Sequence, residues 1–198
     1  MFFNDDKRSK CQVLKNFRAR LRQAREEDVP AFIQEGRQLF KAPPPFAVTI
    51  VISHLKRRKL CRAADKRWRR ANPDVSNRIL ETDDLGPIAV HIGMSVKALQ
   101  TNPLVKGLWY TVECLEPLEL QEQSLRWGET SRRVVTVSPE IFKKDVTATT
   151  AVTAASVQGE TIQGTVCVAD LLNPHMQHRD VLEMAAGRAV HSENLRFM

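Results

Sequence analysis

The chain has 198 residues, of which 42% are hydrophobic and 6% aromatic, and its 30 lysines and arginines outnumber its 23 acidic residues. This length suits one domain of ordinary size with its own hydrophobic core. An integral membrane protein is excluded, because the longest apolar run, residues 46–52, is far shorter than the roughly 20 residues that span a bilayer. The first residues alternate acids and bases without an apolar run, unlike a signal peptide. We therefore expect a protein that is neither secreted nor transmembrane.

The basic residues are concentrated at the start of the chain. Residues 1–70 contain 19 lysines and arginines against 7 acids, whereas residues 71–198 contain 11 against 16. This asymmetry favours a polyanionic partner for the first part, either nucleic acid or an anionic membrane surface. Opposite charges on the two parts also favour self-association into a homo-oligomer. The four cysteines lie about fifty residues apart without a CxxC pair, which predicts reduced thiols and neither a disulfide scaffold nor a metal module.

Residues 9–27 contain Val13, Phe17 and Leu21 at four-residue steps among many bases, which predicts a basic amphipathic helix. Such a helix either packs on the body of the protein or lies on a membrane surface. A second helix is predicted over Pro30–Phe40. We expect residues 1–42 to form a basic amino-terminal arm that is partly mobile, and residues 43–198 to form a single α+β globular domain.

A triple proline follows the arm, and it precedes an aromatic residue. Three prolines end a helix and favour an extended polyproline II segment. Two interpretations stay open: the segment is a rigid linker, or it is a ligand for a proline-reading host domain. The residues concerned are Pro43, Pro44, Pro45 and Phe46.

The densest basic run follows in a segment, Ser53–Ala71, that has neither glycine nor proline and is predicted to be helical. Its bases form a solvated surface, a nuclear-import signal, or a site for anionic lipid headgroups or nucleic-acid phosphates. In the nucleic-acid case, Trp68 would stack on a base. The predicted binding residues are Lys56, Arg57, Arg58, Lys59, Arg62, Lys66, Arg67, Arg69 and Arg70.

The remainder of the sequence is mostly strand-like. Phe46–Ile52 is β-branched and apolar, as in a strand buried on both faces. Val146–Val157 and Glu160–Ala169 flank Gly159 and predict a hairpin. Further strands are predicted over residues 86–93, 108–115 and 132–137, and further helices over residues 75–81, 94–100 and 178–191. The predicted fold class is α+β, a twisted and mainly antiparallel sheet with helices packed on one face.

Motifs of known enzymatic chemistry do not occur in the sequence. Neither GxGxxG nor GxxxxGK[ST] nor GxSxG occurs among its eight glycines. His175 and His178 are three residues apart after Pro174, a spacing that is more typical of an exposed loop than of a metal site. The acids between Glu113 and Glu122 are interpreted as a charged loop. We therefore predict no catalytic residues, no metal and no cofactor, and a protein that is not an enzyme.

One segment, Thr136–Lys144, resembles a known family. In matrix proteins of rhabdoviruses of the vesicular stomatitis type, Asn-Val-Pro-Glu, a variable residue, Phe and two arginines likewise lead into a Thr-rich hairpin; here Ser138 is inserted. A basic amino terminus, a triple proline before an aromatic, and a length near 200 also match. The family's budding motif, Pro-Pro-x-Tyr, has no tyrosine here, because Phe46 follows Pro45, which puts recruitment of ubiquitin-ligase WW domains in doubt.

The resemblance implies a non-enzymatic viral matrix or assembly protein. Such a protein binds the anionic membrane and the nucleocapsid and self-associates to drive particle assembly and budding. Its locations would be the virion and the cytoplasm or inner membrane surface of the host cell, with the nucleus as a further alternative. The competing hypothesis is a basic RNA-binding protein, either a viral accessory or movement protein or a ribonucleoprotein component.

Overall fold

The computed structural model describes residues 11–123, 131–162 and 164–198. The first ten residues of the predicted arm, and Gln163 in the predicted strand Glu160–Ala169, lie outside the described residues. The helices are α1 (Gln12–Gln23), α2 (Val29–Leu39), α3 (His54–Ala71), α4 (Pro139–Asp145) and α5 (Arg179–Ala186). The strands are β1 (Val48–Val51), β2 (Asn77–Leu80), β3 (Ile88–His91), β4 (Ser95–Ala98), β5 (Trp109–Leu115), β6 (Leu118–Glu122), β7 (Val134–Thr136), β8 (Val146–Ala148), β9 (Ala151–Thr153), β10 (Val166–Val168) and β11 (Leu195–Phe197).

The strands belong to three sheets, and the predicted α+β class is confirmed. One sheet is parallel, with the order β11-β10-β1-β9. The other two are antiparallel: the hairpin β2-β3 and a five-stranded sheet with the order β7-β6-β5-β4-β8. Most strands therefore pair in the predicted antiparallel manner, but they are divided among three sheets.

The backbone contacts divide the chain into two compact units. The first unit contains the residues up to Arg57 together with Ala151–Met198, and the second contains Arg58–Thr150. The boundary that the sequence predicted at residue 42 falls inside the first unit, since α1, α2 and all four strands of the parallel sheet belong to it. Helix α3 begins in the first unit, and its residues from Arg58 onward belong to the second.

Strand β1 lies in the interior of the parallel sheet and is buried on both faces, as its continuous apolar sequence predicts. Strands β9 and β10 pair with β1 on its two sides, with Ile50 opposite both Val152 and Val168. The predicted hairpin of Val146–Val157 with Glu160–Ala169 is therefore wrong. The two segments instead close the two edges of β1, which a hairpin would have left unpaired.

Aromatic and small side chains join helices α1 and α2 to the parallel sheet. The ring of Phe17 in α1 lies 5.0 Å from that of Phe40, and Phe40 lies 5.4 Å from Phe197 in β11. Gly36 in α2 faces the same ring, because a Cβ added there would lie 2.5 Å from a ring carbon of Phe197. The predicted amphipathic helix thus packs Phe17 and Leu21 in the core, whereas Val13 is 48% exposed and Leu14 is buried in its place.

Two buried arginines fix helix α5 in the first unit. The Nε of Arg18, in α1, donates to Oε1 of Glu183 over 2.8 Å. Gly187, at the end of α5, leaves room for this guanidinium, since an added Cβ would lie 2.6 Å from its Cζ. Arg188 is also buried and donates to three backbone carbonyls, those of Met184, Val157 and Glu160.

The second unit is built on the five-stranded sheet, whose core includes Tyr110, Val112 and Leu120. Three strands of this unit, β2, β4 and β6, occupy segments that the sequence predicted to be helix or loop. Residues 75–81 and 94–100 were predicted to be helical, but β2 and β4 occupy them because cross-strand pairing outweighs weak local helix propensity. The predicted charged loop contains β6, whose residues alternate between buried and half-buried positions.

Candidate nucleic-acid interface

The nine predicted binding residues all lie on helix α3. Ser53 caps its first turn by accepting a hydrogen bond from the backbone N–H of Lys56 over 3.1 Å. The helix then continues without glycine or proline and ends before Asn72 and Pro73, where the Asn72 side chain donates to the carbonyl of Trp68. Sequence periodicity therefore predicted this element well, but the environment of each base depends on what packs against it.

The first turn of α3 uses its bases internally. Lys56 Nζ lies 2.5 Å from Oδ1 of Asp170, whose side chain is only 12% exposed. Asp170 also accepts from the backbone N–H of Ile52, so that its carboxylate joins β1 to the loop after β10. Arg57 is buried at 7% exposure. Lys56 is thus exposed but paired with an acid, and Arg57 is withdrawn from the surface.

In the second unit, a loop lies along one side of α3 and pairs with its arginines. Arg58 Nε contacts Oδ1 of Asp84 over 3.0 Å, and Arg62 Nε donates to the carbonyl of Leu85 over 2.9 Å. Asp84 is held from its other oxygen by the hydroxyl of Thr147 at 2.7 Å. The arginines at these positions are therefore tethers for the loop.

One turn further along, the same side of the helix anchors strand β3. Asp65 accepts a 2.8 Å hydrogen bond from the backbone N–H of Ala89. Arg69 pairs with Asp65 over 2.8 Å and also donates to the carbonyl of Pro87. Since the spacing of residues 58, 62, 65 and 69 follows one helical face, the loop contacts form a continuous row.

The remaining four bases are exposed, and within the described ranges none of them has a hydrogen bond or an ion pair. They fall within about 100° of arc, since successive residues of a helix are about 100° apart. Three of them follow one line along the helix, spaced over about 16 Å at 1.5 Å per residue. We call this surface the free stripe; it consists of Lys59, Lys66, Arg67 and Arg70.

Trp68 lies on the opposite side of α3, about 180° from Lys59. Its indole stacks on the imidazole of His91, with ring centroids 4.0 Å apart and planes inclined by 4°. His91 Nδ1 lies 3.0 Å from the carbonyl oxygen of Ile92. The structure therefore does not bring Trp68 together with the free bases, and it gives one face of the indole a protein partner.

The triple-proline segment is tied to the parallel sheet. The chain bends at Pro44 and Pro45, and a cis peptide bond joins them. The hydroxyl of Thr165 donates to the carbonyl of Pro45 over 3.1 Å and accepts from the N–H of Ala47. Pro43, Pro44 and Pro45 are exposed, and Phe46 is half-buried. The role of this segment as a ligand stays a prediction.

The two histidines after Pro174 are both exposed. His175 and His178 have ring centroids 6.1 Å apart, and His178 faces Glu26 at 3.9 Å. In the part of the chain that the structure describes, no three histidine, cysteine, aspartate or glutamate side chains are grouped so that they could bind a metal ion. Over the same ranges, no helix has the length and apolar composition needed to cross a bilayer.

No family model matches the sequence, and no curated protein matches it. Solved structures of Pif1 helicases share its fold. The Pif1 helicase from Candida albicans matches 100% of this chain with a TM-score of 0.58 and 13% identity. Bacteroides Pif1 bound to ssDNA matches 87% with a TM-score of 0.54 and 11% identity. A third structure shows two coordinating Pif1 helicases at forked dsDNA. It matches 96% of this chain with a TM-score of 0.55 and 14% identity.

The chain spans about half the length of these helicases, since the matches cover 55%, 47% and 47% of them. At such low identity the likeness shows the fold alone. It nevertheless overturns the predicted function: the protein was predicted to be a non-enzymatic matrix protein of virions, and its fold is that of helicases, which are enzymes. The prediction failed because a nine-residue resemblance around Ser138 carried no information about how the strands connect.

Proposed function

We propose that this chain binds nucleic acid through the free stripe and forms the nucleic-acid-binding part of a helicase-type protein. One observation carries the proposal: four exposed cations that have no side-chain partner among the described residues share one side of one helix. The shared fold supports it, because one Pif1 neighbour is bound to ssDNA and another acts on forked dsDNA. Unwinding is an activity of whole helicases about twice as long, and the proposal for this chain is limited to binding.

The electrostatics of α3 decide which bases are available to a ligand. Arg58, Arg62 and Arg69 already donate to carboxylates or carbonyls, so recruiting them would leave those acceptors unpaired. A phosphate that meets the free stripe replaces only water and counterions. Release of those counterions supplies most of the affinity of sequence-independent binding.

The first experiment measures binding of the full chain to a fluorescent forked DNA by anisotropy at several salt concentrations. If all four cations of the free stripe meet phosphates, their share of the affinity falls about 50- to 150-fold between 50 and 200 mM salt. Replacing all four by alanine should remove this share, lowering the affinity at low salt and flattening the salt dependence.

A matched control separates the free stripe from net charge. Four other exposed bases of the second unit, replaced by alanine, remove the same charge from elsewhere: Lys106, Arg132, Arg133 and Lys144. The control should keep most of the affinity at physiological salt. Equal losses in the two variants, or an unchanged affinity in the free-stripe variant, would show that the proposed interface is wrong.

A further inference from the structure

We infer that the free stripe contacts double-stranded nucleic acid, through the phosphates alone, in preference to a single strand. This inference rests on the proposed function and names the substrate class of the same surface. Three properties support it: the residue types of the free stripe, its convex shape, and the position of Trp68 on the opposite side of α3.

Proteins that hold single strands combine two features, a positively charged groove that follows the backbone and aromatic side chains on which bases stack. Within residues 11–123, 131–162 and 164–198, the free stripe shows neither feature. It is the outer surface of a helix and is therefore convex, and its members are lysines and arginines separated by small or polar neighbours such as Ala63.

Trp68, the tryptophan of α3, is turned away from the free stripe. Trp68 lies about 180° around the helix from Lys59. One face of its indole is already covered by His91 at 4.0 Å with nearly parallel planes. A nucleotide held by Lys66 or Arg70 would therefore not have the Trp68 ring beneath its base, and the contact that α3 offers is limited to the phosphate backbone.

A duplex suits this surface for electrostatic and geometric reasons. Double-stranded DNA carries a charge about every 1.7 Å of its axis, and it is stiff over far more than the 16 Å or so of the free stripe. Lys59, Lys66 and Arg70 form a straight line that can follow such a rod without bending it. A flexible single strand would lose conformational freedom to do the same, and no stacking would offset that loss.

Counterion release gives a magnitude. The logarithm of the binding constant falls with the logarithm of the salt concentration, with a slope of about 0.9 per phosphate contact for a duplex and about 0.7 for a single strand. For four contacts the two slopes differ by about 0.8. With equal affinities at 1 M salt, this difference makes binding to the duplex about sixfold tighter at 0.1 M, before the lost freedom of the single strand is counted.

The test compares two fluorescent probes, a single strand of about 20 nucleotides and the duplex that contains it, with the full chain at about 0.1 M salt. We expect the duplex to bind at least about sixfold more tightly. Alanine at the four positions of the free stripe should abolish this preference, whereas alanine at Lys106, Arg132, Arg133 and Lys144 should preserve it.

A second variant tests whether Trp68 contributes to binding. Trp68→Leu removes the indole, and circular dichroism shows whether the variant remains folded; if it is not, His91→Ala, which removes only the stacked imidazole, replaces it. Either variant should leave the affinity for both probes within about twofold. Equal or tighter binding of the single strand, a loss of single-strand binding in the Trp68 variant, or a gain of it in the His91 variant would overturn this inference and leave the proposed function standing. Absence of binding to both probes would overturn the proposed function as well.

Discussion

The buried arginines of the first unit and the cations of the free stripe have the same chemistry in opposite surroundings. Arg18 and Arg188 are each 5% exposed and donate to a carboxylate or to backbone carbonyls. Lys59, Lys66 and Arg70 are exposed, and in the described part of the chain they have no partner. The contrast teaches that a count of bases in a sequence does not measure a binding surface, because each partner inside the fold removes one base from it.

The largest expected effect concerns two cysteines, Cys11 and Cys167, whose thiols also have the same chemistry in opposite surroundings. The hydroxyl of Ser192, 3.0 Å from Cys11, lowers the pKa of that thiol to about 7, whereas burial raises the pKa of Cys167 to about 11. The thiolate is the reactive form, so alkylation of Cys11 by iodoacetamide should rise with pH and reach half its maximum near pH 7. At that pH, Cys167 should be about five thousand times less ionised.

Mass spectrometry of the two cysteine peptides measures both rates in one sample. Ser192→Ala should shift the midpoint of Cys11 to higher pH and leave Cys167 unchanged. A midpoint for Cys11 at or above that of an ordinary thiol, about 8.5, would contradict the role of the hydroxyl.

The next largest effect concerns the stability that the buried Arg188 provides. Arg188→Leu should reduce the free energy of unfolding by about 3–5 kcal/mol, because the carbonyls of Met184, Val157 and Glu160 lose a donor in a buried site. Urea denaturation followed by circular dichroism measures the change. The exposed Arg25, replaced by leucine, is the control and should change stability by less than about 0.5 kcal/mol. A similar small change in the Arg188 variant would remove the distinction between the two classes of arginine.

A smaller effect is expected when Arg69 loses its acidic partner. Asp65→Ala removes the acceptor of the Ala89 N–H and the partner of Arg69, which should cost about 1.5–3 kcal/mol of stability. The same change removes the acidic partner of Arg69 and leaves only its bond to the Pro87 carbonyl, so the salt dependence of duplex binding should increase by up to about one contact. Denaturation and anisotropy on the same preparation measure the two quantities. Weaker binding by a variant that remains folded would contradict the idea that pairing limits the interface.

The smallest expected effect concerns the free stripe itself. Its fourfold alanine variant should keep the free energy of unfolding within about 0.5 kcal/mol of the parent, because exposed side chains without partners contribute little to stability. Helix propensity even favours alanine slightly. A loss of more than about 2 kcal/mol in urea denaturation would mean that these bases stabilise the fold.

The sequence predicted the elements whose pattern is local. The apolar run around Ile50 indicated a strand buried on both faces, and the uninterrupted segment after Ser53 indicated the helix α3. It did not predict the pairing of β9 and β10 with β1, because β-branched residues have the same pattern in a hairpin and in a parallel sheet.

For the candidate site, sequence reasoning found all four members of the free stripe but could not separate them from the five bases with internal partners. The partners of Arg58 and Arg62 come from the loop at Asp84 and Leu85, more than twenty residues away. The stacking of His91 on Trp68 was missed, because nothing local to either residue indicates the other. Long-range contacts therefore decided the outcome in the interface as well as in the fold.

The interrupted course of the first unit has a consequence for synthesis on the ribosome. When residue 150 has been made, every strand of the second unit exists, whereas the parallel sheet has only β1. Strands β9, β10 and β11 come from residues 151–198, and the contacts of β9 and β10 with β1 close loops of about a hundred residues or more. Contacts so distant in sequence form slowly. The apolar strand β1 therefore stays unpaired until β9 and β10 have been synthesised. During this interval the nascent chain has the greatest need of protection from aggregation.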